Sequence, residues 1–265
     1  MVLESAIETV TPSPAEPTRR APNSPARAPV HSLDFNQRNR DAWVARMAAT
    51  IPAGSRVLDV GAGACPYRSL FAHCRYFSHD FCQYEGTGEG PMRDRWTYGK
   101  IDYVSDITAI PAADASFDAI LCTEVLEHVP EPIAALREMA RLLRPGGRLL
   151  LTAPLGSGLH QQPHHYYGGY TPHFYRRFLG EFGLVIDAIT PNGGFYRHLH
   201  QELRRAAVLI QKQRGYSRLH PLYWLLRVGF RTLLPRWLER LDAEQLIEEF
   251  TVGYHVEAHK PAAGE

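Results

Sequence analysis

Short apolar runs alternate along the chain with stretches whose apolar positions recur at helical spacing, the two patterns of buried strands and amphipathic helices. Trp43, Met47 and Ile51 recur three to four residues apart and predict a helix over 36–50, ended by Pro52 and Gly54. Arg56-Val57-Leu58-Asp59-Val60 is an apolar run with one acid, followed at once by Gly61 and Gly63. That pattern predicts a buried parallel strand entering a tight turn. Residues 76–80 and 101–106 predict a second and a third strand, with Asp80 and Asp106 at their carboxyl ends. Between them, residues 85–99 hold several glycines and few apolar positions and predict a loop.

Residues 117–122 predict a fourth strand, and 132–143 a helix with Ile133, Leu136, Met139, Ala140 and Leu143 on one face. Pro145-Gly146-Gly147 stops that helix, and 148–152 predict a fifth strand. A polar loop rich in His and Tyr follows over 154–170, then a helix over 172–182 and a strand over 184–189. Residues 192–247 read as largely helical, and 250–259 as a last strand. Strands and helices alternating in this way predict an α/β fold with a mostly parallel sheet covered on both faces, carrying a helical insertion before its last strand. Ligands of such sheets bind at the carboxyl ends of the strands.

Composition sets the scale of this picture. A chain of 265 residues, 45% hydrophobic and 22% charged, suffices for one large domain with appendages. Residues 1–31, rich in Pro, Ala, Ser and Thr, predict a disordered tail. The expected division is a catalytic domain of 32–191 with 248–261, and a helical insertion or cap of 192–247. A formal net charge of +1 gives no chain-wide footprint for nucleic acid. Cys65, Cys74, Cys82 and Cys122 form no CxxC pair and read as free thiols of a reducing compartment. The first residues lack a signal-peptide pattern and no run is long enough for a membrane span, so the expected location is the cytoplasm.

The turn Gly61-Ala62-Gly63 is open to two uses. A dinucleotide site wants G-x-G-x-x-G, and here the third position is Pro66, which disfavours an NAD-type oxidoreductase. Tight turns also use glycine with no ligand present.

The stretch VLDVGAGACPY, with the acids at three successive strand ends, resembles the first motifs of class I S-adenosylmethionine-dependent methyltransferases. Phe117-Asp118, Glu124 to Val129 and Leu142 to Gly147 resemble the later motifs of the branch that includes small-molecule and quinone methyltransferases, and 171–199 resembles enzymes that modify sugars. The resemblance implies a Rossmann-like, doubly wound, mostly parallel seven-stranded sheet with an antiparallel final strand. It implies S-adenosylmethionine as cofactor, held by Asp59, Gly61, Ala62 and Gly63, by Asp80 with Phe81 at the ribose, and by Asp106 with Ile107 at the adenine. The chemistry agrees, since ribose hydroxyls and an exocyclic amine donate and an ionised carboxylate only accepts.

For the acceptor, methyl transfer to a hydroxyl needs a base of near-neutral pKa, and His164 or His165 in the loop after the fifth strand is the expected one. The neighbouring tyrosines either wall the acceptor pocket or pack the loop. The run Glu124-x-x-Glu127-His128 resembles one that binds a divalent cation in some methyltransferases of RNA ends and quinone precursors, here with His165 as a later ligand. The same run also serves as a helix cap without metal. The insertion concentrates Arg204, Arg205, Lys212, Arg214, Arg218, Arg227, Arg231 and Arg236 beside Leu and Trp at helical spacing, with Pro235 splitting the helix. It reads as a cap on the catalytic domain, as a lid for an anionic or lipid-linked acceptor at a membrane surface, or as a homodimer interface. The expected function is O-methylation of a small or sugar-containing molecule. N- or C-methylation and a non-catalytic scaffold stand as alternatives.

Overall fold

Alternation along the first strand sorts the core into two layers. In β1 (Arg56–Val60), Val57 faces a cluster with Trp43, Val44 and Phe71, while Leu58 and Val60 face another with Leu136, Met139 and Tyr175. The computed structural model describes residues 35–86, 97–262 and 264. The tail expected over 1–31 and most of the loop expected over 85–99 lie outside them.

Helix α1 (Phe35–Thr50) buries Trp43, Val44 and Ala48 on the first face, where the Trp43 ring stacks on His255 at 5.0 Å and donates to Glu257 Oε1 at 3.3 Å. The expected segments β2 (Arg75–Asp80), β4 (Phe117–Thr123), β5 (Leu143–Pro154), β6 (Val185–Pro191) and β7 (Gly253–His259) form the sheet with β1 and a short β3 (Tyr103–Val104). Helices α2 (Pro132–Leu142) and α3 (Pro172–Glu181) cover the second face with Leu136, Met139, Tyr175 and Leu179.

The strand order is β3-β2-β1-β4-β5-β7-β6, parallel except for β7, which runs antiparallel to both neighbours. This is the expected seven-stranded mixed sheet with an antiparallel last strand. Connections leave β1 toward one edge and β4 toward the other, so their carboxyl ends open a crevice between them.

Two local readings change, at β3 and at the start of β5. β3 is far shorter than 101–106 because the Asp102 carboxylate takes the Ser78 N–H at 3.0 Å, occupying the donor a longer ladder would use. After the glycine turn only a 3₁₀ turn forms, Arg68–Phe71, because Gly61, Gly63 and Cys65 all have positive φ and Pro66 contributes no N–H. Pro145-Gly146-Gly147 does not separate helix from strand: β5 already starts at Leu143 and bulges between the pairings of Leu143 and Arg148.

Between β6 and β7 lie α4 (Phe195–Arg214), α5 (Pro221–Trp224), widened π-helical turns over Leu225–Leu233, and α6 (Leu234–Glu244). Pro235 sits in the first turn of α6, where its missing N–H is tolerated, and marks the boundary with the widened turns. The base of this insertion is held by Asp242, which accepts from the Gly194 N–H at 3.1 Å and pairs with Arg197 Nε at 3.2 Å, both side chains buried. The Asn192 carboxamide ties the β6–α4 turn to α1, donating to Asn36 Oδ1 at 2.7 Å and accepting from Asn39 at 3.0 Å. Replacing Asp242 with Ala strands a buried guanidinium and a buried N–H. It is expected to lower unfolding free energy by about 3 kcal/mol, read as a shifted urea midpoint at constant slope.

Candidate active site

The crevice at the β1/β4 switch point holds a cavity of about 760 Å³. Its floor is the turn after β1. Gly61 has φ +70°, and a Cβ there would lie 2.4 Å from Val125 Cγ2, so both conformation and space demand glycine. The Gly63 N–H donates to Asp80 Oδ2 at 2.9 Å and the Cys82 N–H to Oδ1 at 3.0 Å. The buried Asp80 carboxylate is therefore fixed by two backbone donors and keeps further lone pairs for ligand hydroxyls.

Asp59, Asp80, Phe81, Asp106, Ile107 and the turn Gly61-Ala62-Gly63 all line this one cavity. Asp106 Oδ1 accepts both the Thr108 N–H at 2.8 Å and its hydroxyl at 2.7 Å, which hold the carboxyl below its ordinary range and leave Oδ2 open. Asp59 is fully buried and accepts from the Tyr76 hydroxyl. Burial, opposed by Tyr76 and reinforced by the charge of Asp80, pushes its carboxyl up to about 7. Acceptor-only groups at three strand ends, with a glycine cradle between them, fit an adenosyl ligand carrying a positive charge.

Sequence reasoning missed the roof. Arg40 of α1 lines the cavity, pairs with Glu124 Oε2 at 3.2 Å and donates to the Tyr67 hydroxyl at 3.4 Å. The signal was present: Arg40 falls on the helical stripe of Trp43, Val44 and Met47, a charge placed on the face that turns inward. Glu124 stands at φ +53°, with its other oxygen accepting from the Thr152 hydroxyl at 2.8 Å.

The His-rich loop lies against the turn after β4. The N–H groups of Tyr166 and Tyr167 donate to Glu127 O at 2.9 and 3.2 Å, and the Tyr170 hydroxyl donates to Leu126 O at 2.7 Å. Tyr166 lines the cavity, whereas Tyr170 packs the loop. The two histidines expected as alternative bases lie in different surroundings. His164 lines the cavity, edge-on to Phe81 at 5.1 Å. His165 is outside the cavity wall, its Nε2 3.1 Å from Ser157 Oγ.

His128, expected as a metal ligand or as part of a helix cap, also lines the cavity. Its Nδ1 lies 2.6 Å from His164 O, an atom that can only accept, so Nδ1 carries the proton and Nε2 a lone pair. Burial pushes its pKa down to about 4. Glu127 is 1% exposed, and its Oε2 has no hydrogen-bond partner among the described residues. Burial, then the charge of Glu124, raises its carboxyl well above the ordinary range. Glu127, His128 and His160 each place one ligand atom within 4.8 Å of the others. His160 thus stands where Glu124 and His165 were expected, because Arg40 and Thr152 occupy the Glu124 carboxylate and Ser157 the His165 ring.

A family model described as a methyltransferase domain matches residues 33–188. A ubiquinone biosynthesis O-methyltransferase of Xanthomonas axonopodis pv. citri (strain 306) is 38% identical over 107 residues, covering 38% of this chain and 44% of that protein. One from Xanthomonas oryzae pv. oryzae (strain PXO99A) is 36% identical over 130 residues, covering 47% of this chain and 51% of that protein. The chain spans about half the length of these curated relatives. A chain in the complex of the Haloferax volcanii Trm112 methyltransferase activator with a methyltransferase shares the fold at 15% identity and a TM-score of 0.51, over 88% of this chain and 96% of that one.

The electrostatics generate a test. A cationic ligand binds the ionised Asp59 better than the protonated one, so binding below the Asp59 pKa must release a proton. Affinity for S-adenosylmethionine is expected to rise as pH climbs through about 7, by at most about tenfold per pH unit below that point. Calorimetric titration across this range checks it, and Asp59→Asn is expected to flatten the dependence.

Proposed function

The chain belongs to the class I S-adenosylmethionine-dependent methyltransferases, and from that premise we propose that it methylates an oxygen of a small-molecule acceptor with His164 as base. S-adenosylmethionine is the cofactor and supplies a methyl carbon activated by its sulfonium. The turn Gly61 to Gly63, Asp80 and Asp106 bind and orient it, and Asp59 and Arg40 set the charge around it. The observation that carries the reading is the position of His164 in the same cavity wall as the cofactor-binding residues, against Phe81. As the acceptor oxygen forms its bond to the methyl carbon and the carbon–sulfur bond breaks, the hydroxyl proton passes to the imidazole. The curated relatives, named as ubiquinone biosynthesis O-methyltransferases, support oxygen as the atom methylated.

Replacing His164 with Ala is expected to lower kcat by about 10²–10⁴ while S-adenosylhomocysteine binds as before. Product NMR with a panel of phenols, catechols and sugars reads the atom methylated. A methylated nitrogen or carbon, or full turnover without His164, would sink the proposal.

A second reading, assistance by a divalent cation, is favoured by the group Glu127, His128 and His160. His128 Nδ1 and His160 Nδ1 face the carbonyls of His164 and Gly158 at 2.6 and 2.9 Å, which turns each Nε2 lone pair outward as a metal ligand requires. An ion held there would orient paired acceptor oxygens and ease loss of a proton. Chelation is expected to abolish turnover and added Mn²⁺ or Zn²⁺ to restore it, with His160→Ala reproducing the loss. Unchanged turnover in excess chelator removes the cation from the reaction.

A further inference from the structure

From Leu203 to Leu238 the chain carries eight basic residues and no acidic one, although the whole molecule has a formal net charge of +1. The positive charge is thus gathered on the insertion. Its distal end, the turn from α4 into α5, also presents apolar side chains to solvent. Leu219 is 96% exposed, Trp224 and Leu225 51% each, and Leu222 is exposed beside them. The Trp224 indole N–H donates to Arg218 O at 2.8 Å, so the one polar atom of the ring is satisfied and the surface it shows is carbon. Lys212, Arg214, Arg218 and Arg227 flank these residues with exposed side chains.

Exposed Leu and Trp are costly in water, and a charged rim alone does not explain them. Leu and Trp reaching the acyl boundary, with arginines at headgroup level, is the composition of a segment that lies in the interface of an anionic bilayer. A second copy of the chain is a poor occupant, because this face would set one uncompensated basic segment against another. No described helix is long and apolar enough to cross a membrane, so the contact is with the surface. We propose that the distal end of the insertion docks this protein on anionic lipid bilayers, with Leu219, Leu222, Trp224 and Leu225 entering the interface and Lys212, Arg214, Arg218 and Arg227 meeting the headgroups. The proposal does not depend on which acceptor atom is methylated.

Flotation of the full-length protein tests it, with vesicles of phosphatidylglycerol and phosphatidylcholine in equal parts and vesicles of phosphatidylcholine alone. Binding to the mixed vesicles is expected, weakening as salt is raised, with little binding to phosphatidylcholine. Arg214→Gln with Arg218→Gln is expected to weaken it about 25-fold, at about fivefold per charge. Leu219→Ser with Trp224→Ser is expected to weaken it by about tenfold or more. S-adenosylhomocysteine affinity, unchanged in each variant, shows that the fold is kept. No binding at low salt, equal binding to both vesicles, or variants that bind like the native protein would each overturn the proposal. So would sedimentation showing a dimer that these variants dissolve while vesicles are ignored, which assigns the face to self-association.

Discussion

The site depends on one carboxylate held by two loops. Parallel strands β1 and β2 end side by side, and the segments leaving them diverge. Asp80 collects one N–H from each, Gly63 from the turn after β1 and Cys82 from its own. This fixes the two loops relative to each other before any ligand arrives, and it allows the glycine turn to pass under Val125, where only a hydrogen atom fits. A carboxylate whose own geometry is fixed by backbone donors can discriminate ligand hydroxyls without reorganising.

The same arrangement carries an electrostatic tension. Asp59 is buried close to Asp80, and burial first, with the Asp80 charge adding to it, pushes the Asp59 carboxyl up to about 7. A third acid, Glu127, is buried beside Glu124, and burial followed by that charge raises its carboxyl in the same direction. Arg40 is a nearby compensating cation, and it is committed to Glu124 and Tyr67. A sulfonium ligand brought into this cavity supplies positive charge on the side lined by Asp59 and Asp80. Burying several acids in one region weakens the fold, a recurrent cost of a prepared site.

Much of this was legible in the sequence where a local rule acts alone. Apolar runs ended by Asp80 and Asp106 marked strand ends at the cavity, and the residue spacing around Gly61 and Pro66 separated this turn from a dinucleotide loop. Legibility failed where a side chain from elsewhere decides. Asp102 cuts β3 short by capturing a ladder donor, and no pattern within residues 101–106 records that. His160 joins Glu127 and His128 only through the path of a long loop, whereas the resemblance pointed to His165. Arg40 was readable in principle as a charge on an apolar stripe, but its role needed α1 to be placed over the β1/β4 crevice.

The Asn36–Asn39–Asn192 contact joins α1, which roofs the cavity through Arg40, to the base of the insertion. Its partners are neutral carboxamides, so ions neither screen nor titrate it. The Arg40–Glu124 pair at the other side of the roof is charged and does not share that indifference. Helix α1 thus has one fastening set by geometry and one set by charge. Changes in ionic conditions act on the roof asymmetrically, loosening it at the crevice while its root on the insertion stays in register.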